Sequence, residues 1–324
     1  MFHLIDKCAG KTRQIECRPS DRREEAKETM SLFEAPGRAP LAYADEGPRS
    51  GSAAPLLLIH GWAASGAFFQ PQIDHFARTR RVIAPDLRGH GGSRDGPAPT
   101  IAGMAGDVEA LLEGLGLSDV IAVGWSMGAS VLWDLLGRGR GQRIAGLVTI
   151  DMTPRILNDV TWRLGLADGF DALDCARAMV RMEEDWSQFS ARVAANALAG
   201  EKPAPALLRL FEESFADNDA KLMAAAWDSL CNSDLRDALP RIETPMLVTH
   251  GMRSKLYTSA VSAYVAEAAP NAARAPFHAS GHAPHLEEPE RFNRLLNEFA
   301  AILSGQDVRR DIRRLGEHAA AHQA

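Results

Sequence analysis

Gly124-Trp125-Ser126-Met127-Gly128 stands between an apolar run, Val120–Val123, and a second apolar stretch, Ala129–Leu136. A serine on a sharp turn from a buried strand into a helix exposes its Oγ. The turn closes on itself, so small residues are needed two before and two after it. Gly124 and Gly128 meet that need. Ser126 is therefore a candidate nucleophile for acyl transfer, the plain alternative being an ordinary glycine-rich turn.

A serine hydroxyl is a weak nucleophile and requires a base. Ser280-Gly281-His282-Ala283-Pro284-His285 offers one near the end of the chain. His282 sits in a Gly-flanked loop and is the candidate; His285, closer to the following helix, reads as a packing or capping residue. His60, His90 and His250 fall at strand ends or turns and read as structural. The negative oxygen of an acyl-transfer intermediate needs two N–H donors. One is expected at Met127, directly after the serine. The other is expected from His60-Gly61-Trp62, where Gly61 lets the backbone turn back and the Trp62 N–H points in. Gly61, Trp125 and Phe68 are the candidate pocket residues, whereas Phe69 reads as packing.

These residues need a scaffold that brings distant loops together. Leu56–Ile59, Val82–Pro85, Val120–Val123, Leu147–Ile150 and Met246–Thr249 are short and nearly all apolar, as strands buried on both faces of a parallel sheet should be. Helical periodicity separates most of them: Ile101, Met104, Val108, Leu111, Leu112 and Leu115 form one apolar face, and Phe292, Leu295, Leu296 and Phe299 another. Strands alternating with helices predict an open α/β sheet. From Pro154 to about Pro240 there is only helical sequence, too long for a simple connection. An inserted helical cap at 154–240 is expected, over the sheet's carboxyl edge, with the core formed by 31–153 and 241–303. The charge-dense residues 1–30 read as a flexible extension, and 304–324, with Arg309, Arg310, Arg313 and Arg314, as a flexible solvated tail.

Composition narrows the partners. The 324 residues carry a net charge of −6 and are 46% hydrophobic, which fits a large core and argues against a dedicated nucleic-acid binder. No stretch reaches the length of a membrane span, and the first residues lack the apolar core of a secretory signal. Cys8, Cys17, Cys175 and Cys231 form no metal-binding spacing and read as cytosolic thiols. A cytoplasmic enzyme with a small-molecule substrate, acting without nucleic acid or membrane, is the expectation; its oligomeric state is not legible.

With these motifs in order, the chain resembles the α/β-hydrolase superfamily, in its small capped esterase, lactonase and haloperoxidase-like branch. His60-Gly61-Trp62, the run Asp86-Leu87-Arg88-Gly89-His90-Gly91-Gly92-Ser93, Gly124–Gly128, and Gly281-His282 with Pro284-His285-Leu286-Glu287-Glu288-Pro289 carry the likeness, over roughly residues 32–303. The resemblance implies an eight-stranded, mostly parallel sheet flanked by helices, hydrolysis of carboxylic esters, no metal and no organic cofactor. It also implies that Asp86 belongs to a structural turn. Relatives that break carbon–halogen or epoxide bonds use an aspartate where Ser126 stands, which disfavours that chemistry.

One position departs from the family. The usual acid follows the next-to-last strand, yet Gly251-Met252-Arg253-Ser254 places a serine there, and no carboxylate follows until Glu267. Some members carry the acid one strand earlier, and Asp151 directly follows Leu147–Ile150. Asp151 is therefore expected to orient His282, the alternatives being a turn-capping role for Asp151 and an acid at Asp234 or Asp237. The resulting reading is a serine hydrolase that cleaves a carboxylic ester or lactone through an acyl-enzyme on Ser126, His282 and Asp151. The same residues would serve an acyltransferase, perhydrolase or thioesterase, and a non-hydrolysing binder could keep the fold.

Overall fold

The computed structural model describes residues 12–14 (backbone only), 30–200 and 203–321. In chain order the elements are β1 (Thr12–Gln14), β2 (Ser31–Phe33), β3 (Leu41–Glu46), β4 (Leu56–Ile59), α1 (Gln70–Phe76), β5 (Val82–Pro85), α2 (Ile101–Gly114), β6 (Val120–Trp125), α3 (Met127–Gly137) and β7 (Ile144–Ile150). Four helices follow: α4 (Ala172–Glu184), α5 (Trp186–Ala197), α6 (Pro205–Ala216) and α7 (Ala220–Cys231). The chain then closes with β8 (Met246–Gly251), α8 (Ser259–Ala268), β9 (Ala272–Phe277), α9 (Pro284–Glu287), α10 (Pro289–Leu303) and α11 (Val308–Ala321).

All nine strands form one sheet in the order β1-β2-β3-β5-β4-β6-β7-β8-β9. The first three meet their neighbours antiparallel, and every pairing from β5 to β9 is parallel. Eight of the strands, β2–β9, are those implied by the resemblance, and β1 adds a short pairing at the edge. β4, β5 and β6 are buried along their whole length, which is why their sequences carry no polar alternation.

The strand order explains where chemistry can occur. The chain steps from β4 outward to β5, then returns to place β6 on the other side of β4. Ligands bind such sheets outside the carboxyl ends of the strands, where the order reverses. Ile59 pairs with Gly124, so the loops following β4 and β6 leave the sheet side by side. Trp125 pairs with Ile150, and Ile150 with Thr249, so the residues after β7 and β8 emerge at the same edge.

Two expectations meet the structure at the termini. Of residues 1–30, read as a flexible extension, all but 12–14 and Met30 lie outside the described residues. The flexible tail expected from 304 is corrected by α11. Ile312 and Leu315 of this helix are buried, and Gly316 lies so close to β9 that a Cβ there would stand 2.8 Å from the Arg274 carbonyl oxygen. Val308, Ile312, Leu315 and Ala319 form an apolar stripe at helical spacing, obscured in the sequence by the surrounding arginines. Laying this stripe against β9 shields the last strand of the sheet. Among the described residues, no helix is long and apolar enough to cross a membrane.

Candidate active site

Ser126 occupies the junction of β6 and α3 with φ 52° and ψ −123°, a conformation that costs a non-glycine residue about 1–3 kcal/mol. Its neighbours hold it there. The Ser126 N–H donates to the Ile150 carbonyl at 2.9 Å, and the Ala129 N–H donates to the Ser126 carbonyl at 2.8 Å. A Cβ on Gly124 would come within 2.7 Å of the Gly128 carbonyl oxygen, and one on Gly128 within 2.2 Å of the Ile59 carbonyl oxygen. Both obstacles are backbone, so neither side chain could be accommodated by a rotamer change. Ser126 is half-buried while its chain neighbours are buried, and it lines the main cavity.

The loop after β4 abuts this serine. A Cβ on Gly61 would lie 3.1 Å from the Ser126 Cβ. His60 fixes the loop: its Nδ1 lies 2.7 Å from the Gly61 carbonyl oxygen, and the Leu87 N–H donates to its Nε2 at 2.8 Å. That pairing assigns the proton to Nδ1. Asp86, just before, is buried and accepts the N–H groups of Gly66 and Gly92, each at 2.8 Å. Among the described residues, the backbone N–H groups of Trp62 and Met127 have no protein acceptor. Both therefore stay available to a ligand oxygen, and the Met127 N–H also lies at the positive end of the α3 dipole.

His282 enters on the loop between β9 and α9. Its N–H donates to the Ala197 carbonyl at 2.9 Å, and its own carbonyl accepts the Trp125 indole N–H at 2.8 Å. The side chain is anchored by Asp151, whose Oδ2 lies 2.7 Å from His282 Nδ1; both residues are only 4% exposed. Nδ1 thus carries the proton, which leaves Nε2 free as a base. Asp151 has φ 45°, a turn tolerated better by Asp and Asn than by most residues, and its N–H donates to the Thr249 carbonyl at 2.9 Å. Ser254 reaches the same carboxylate: its hydroxyl donates to Asp151 Oδ2 at 2.7 Å. Asp234 instead pairs with Arg236 and stands apart from this cluster.

His285, His60 and His250 are buried in the core beside this site. His285 is fully buried between Phe69 (4.7 Å between centroids) and Trp125 (5.0 Å), and neither ring nitrogen has a protein partner. Burial, with the nearby His282, pushes its pKa down to about 3; burial likewise lowers His60 and His250 to about 4. An unfolded histidine binds its proton below about 6.5, but these do so only below their folded values. Their neutral form therefore contributes stability that is lost as pH falls from about 6.5 toward 4, by about 1.4 kcal/mol per pH unit for each. His285→Leu is expected to flatten the dependence of unfolding free energy on pH by that amount between pH 6 and 4. Urea titrations at several pH values would measure it, and an unchanged slope would contradict the assignment.

A cavity of about 670 Å³ opens over Ser126 and His282. Its floor is Gly61, Trp62 and Trp125, and its walls include Met182 of α4, Phe189 of α5, Phe215 of α6, and Trp227 of α7. The Trp62 indole meets Trp227 (5.4 Å), Trp186 (5.7 Å), Phe215 (6.3 Å) and Phe189 (6.4 Å) edge-on, and its N–H donates to the Met223 carbonyl at 2.9 Å. The loop after β4 is thereby locked to the helical insertion. Tyr257, also lining the cavity, lies 5.7 Å from the His282 ring. Phe68 requires a correction: it does not line the cavity. It is fully buried behind the cavity wall, stacked on Trp125 at 5.5 Å and edge-on to Phe211 at 4.9 Å, so it supports the tryptophan instead of meeting a ligand. Sequence reasoning missed Phe189, Phe215, Trp227 and Tyr257, whose only signal was aromatic residues within or beside helical stretches.

The fold has counterparts among known proteins. The family model described as alpha/beta hydrolase fold matches residues 54–289. The chain is 28% identical over 254 residues to the pimeloyl-[acyl-carrier protein] methyl ester esterase of Vibrio campbellii, covering 76% of this chain and 94% of that one. An esterase from Exiguobacterium antarcticum shares the fold with a TM-score of 0.76 at 23% identity, covering 83% of this chain and 98% of its own. The enol-lactonase from Burkholderia xenovorans LB400 does so with a TM-score of 0.71 at 23% identity, covering 81% and 96%. With the family model spanning most of its length, the chain belongs to the alpha/beta hydrolase fold family.

Proposed function

We propose that this protein is a serine hydrolase that cleaves a carboxylic ester, open-chain or lactone, through an acyl-enzyme. The observation that carries the reading is the 2.7 Å contact between His282 Nδ1 and the buried Asp151 carboxylate, beside a cavity that Ser126 shares. In this mechanism His282 Nε2 takes the Ser126 hydroxyl proton as Oγ attacks the substrate carbonyl. The Asp151 carboxylate stabilises the imidazolium and keeps the proton of Nδ1 in place. The N–H groups of Trp62 and Met127 hold the developing oxyanion, a contribution of about 3–4 kcal/mol per donor in related chemistry. His282 then protonates the leaving alcohol, and water activated by the same Nε2 releases the acid.

The cavity suggests which acids. Its lining of Trp62, Trp125, Phe189, Phe215 and Trp227 favours an apolar acyl or aryl group, and 670 Å³ is in the range of sites for medium-sized ligands. The methyl ester named for the curated relative fits this reaction class. Against p-nitrophenyl esters of increasing acyl length, kcat/KM is expected to rise from acetate to a medium chain by roughly tenfold or more, since each buried methylene is worth about 0.8 kcal/mol. A flat or falling series would remove the apolar acyl pocket. No turnover of any ester by folded protein would remove the hydrolase reading.

A further inference from the structure

We propose that Ser254 is a positioning residue for the acid of this site, holding the Asp151 carboxylate against His282. The inference rests on the serine-hydrolase reading above and concerns how the acid is kept in place when it stands on β7.

Asp151 Oδ2 is shared by two donors. The His282 Nδ1 proton and the Ser254 hydroxyl both lie 2.7 Å from that one oxygen. The hydroxyl is itself oriented: the backbone N–H groups of Leu256 and Tyr257 approach Ser254 Oγ at 3.3 and 3.4 Å. Those contacts occupy the lone pairs of Oγ and leave its proton to point at the carboxylate. A carboxylate on a turn with positive φ has freedom about χ1 and χ2, and one histidine contact alone would not fix both. The second donor, arriving from the end of the neighbouring strand β8, does so. Hydrogen bonds to a charged group are the stronger kind, which gives this one enough weight to matter. Ser254 does not line the cavity and its hydroxyl donates to Asp151, so its effect must pass through Asp151 and His282.

The test is a double-mutant cycle on the full chain with a p-nitrophenyl ester, reading kcat and KM separately. Ser254→Ala is expected to lower kcat by about ten- to a hundredfold with KM within about twofold. Ser254→Thr, which keeps the hydroxyl, is expected to retain most of the activity. In the Asp151→Asn background, Ser254→Ala is expected to change kcat by less than about threefold, because the group it acts through is already gone. A merely structural serine would instead give losses that multiply, accompanied by a lower melting temperature. The proposal is overturned if Ser254→Ala matches the wild type, if the two losses multiply, or if Ser254→Thr is as impaired as Ser254→Ala. Should Asp151→Asn itself retain wild-type kcat, the assignment of the acid fails as well, and that outcome is read independently from the single variant.

Discussion

Replacing Ser126 by Ala is expected to lower kcat by about 10⁶-fold while leaving KM within a few-fold. Removing the nucleophile of a serine–histidine–aspartate site deletes the covalent route, and only binding and the oxyanion donors remain to assist direct attack by water. The fold should tolerate the change. Ser126 makes its two structural hydrogen bonds through its backbone, to Ile150 and Ala129, and both survive in alanine. Alanine also inherits the same φ of 52°, so the local strain is neither relieved nor increased. Melting temperature is therefore expected to stay within a few degrees of wild type, which separates a chemical loss from a folding loss. Steady-state kinetics and thermal melts on the same sample would check both.

Asp151→Asn is expected to lower kcat by about 10⁴-fold. Asparagine suits the positive φ at this position and is nearly isosteric, so the backbone turn should persist. The chemistry should not. Ser254 Oγ and His282 Nδ1 both meet the same oxygen, Oδ2, so whichever amide group takes its place faces both: a carbonyl there accepts without a charge, and an NH₂ group there meets His282 as a donor. An NH₂ donor requires Nδ1 to accept, which moves the ring proton to Nε2 and removes the base that Ser126 needs. Loss of the carboxylate also leaves the imidazolium without its counter-charge in a buried site. Raising the pH should recover part of the variant's rate as hydroxide substitutes for the missing base, a gain the wild type, which keeps its base, should not show. Rates measured from pH 6 to 10 for both proteins would show the difference.

Most of the candidate site was legible because its residues carry local signals. The turn around Ser126 advertises itself through Gly124 and Gly128, whose absent Cβ atoms the backbone of Ile59 and Gly128 would otherwise meet. β4 and β5 have the bounds read from their apolar runs, since burial on both faces leaves no polar residue inside them. The pairing of Asp151 with His282 joins residues 131 apart and has no local pattern. It could be inferred only from an aspartate at a strand end combined with a serine in the position the family gives to its acid. What escaped notice depended on tertiary packing. Phe68 and Trp62 are both aromatic and both near the loop after β4, yet only the geometry shows that Trp62 lines the cavity while Phe68 lies behind Trp125. α11 escaped because arginines crowd its polar face, and the four apolar residues on the other face acquire meaning only beside β9.

The most direct test is intact-protein mass spectrometry after mixing the purified chain with a fluorophosphonate, followed by peptide mapping. The expected result is one adduct, on Ser126, formed readily by wild type, slowly by Asp151→Asn and never by Ser126→Ala. An adduct on another residue, or folded wild type that hydrolyses esters without ever being labelled, would contradict a nucleophilic Ser126.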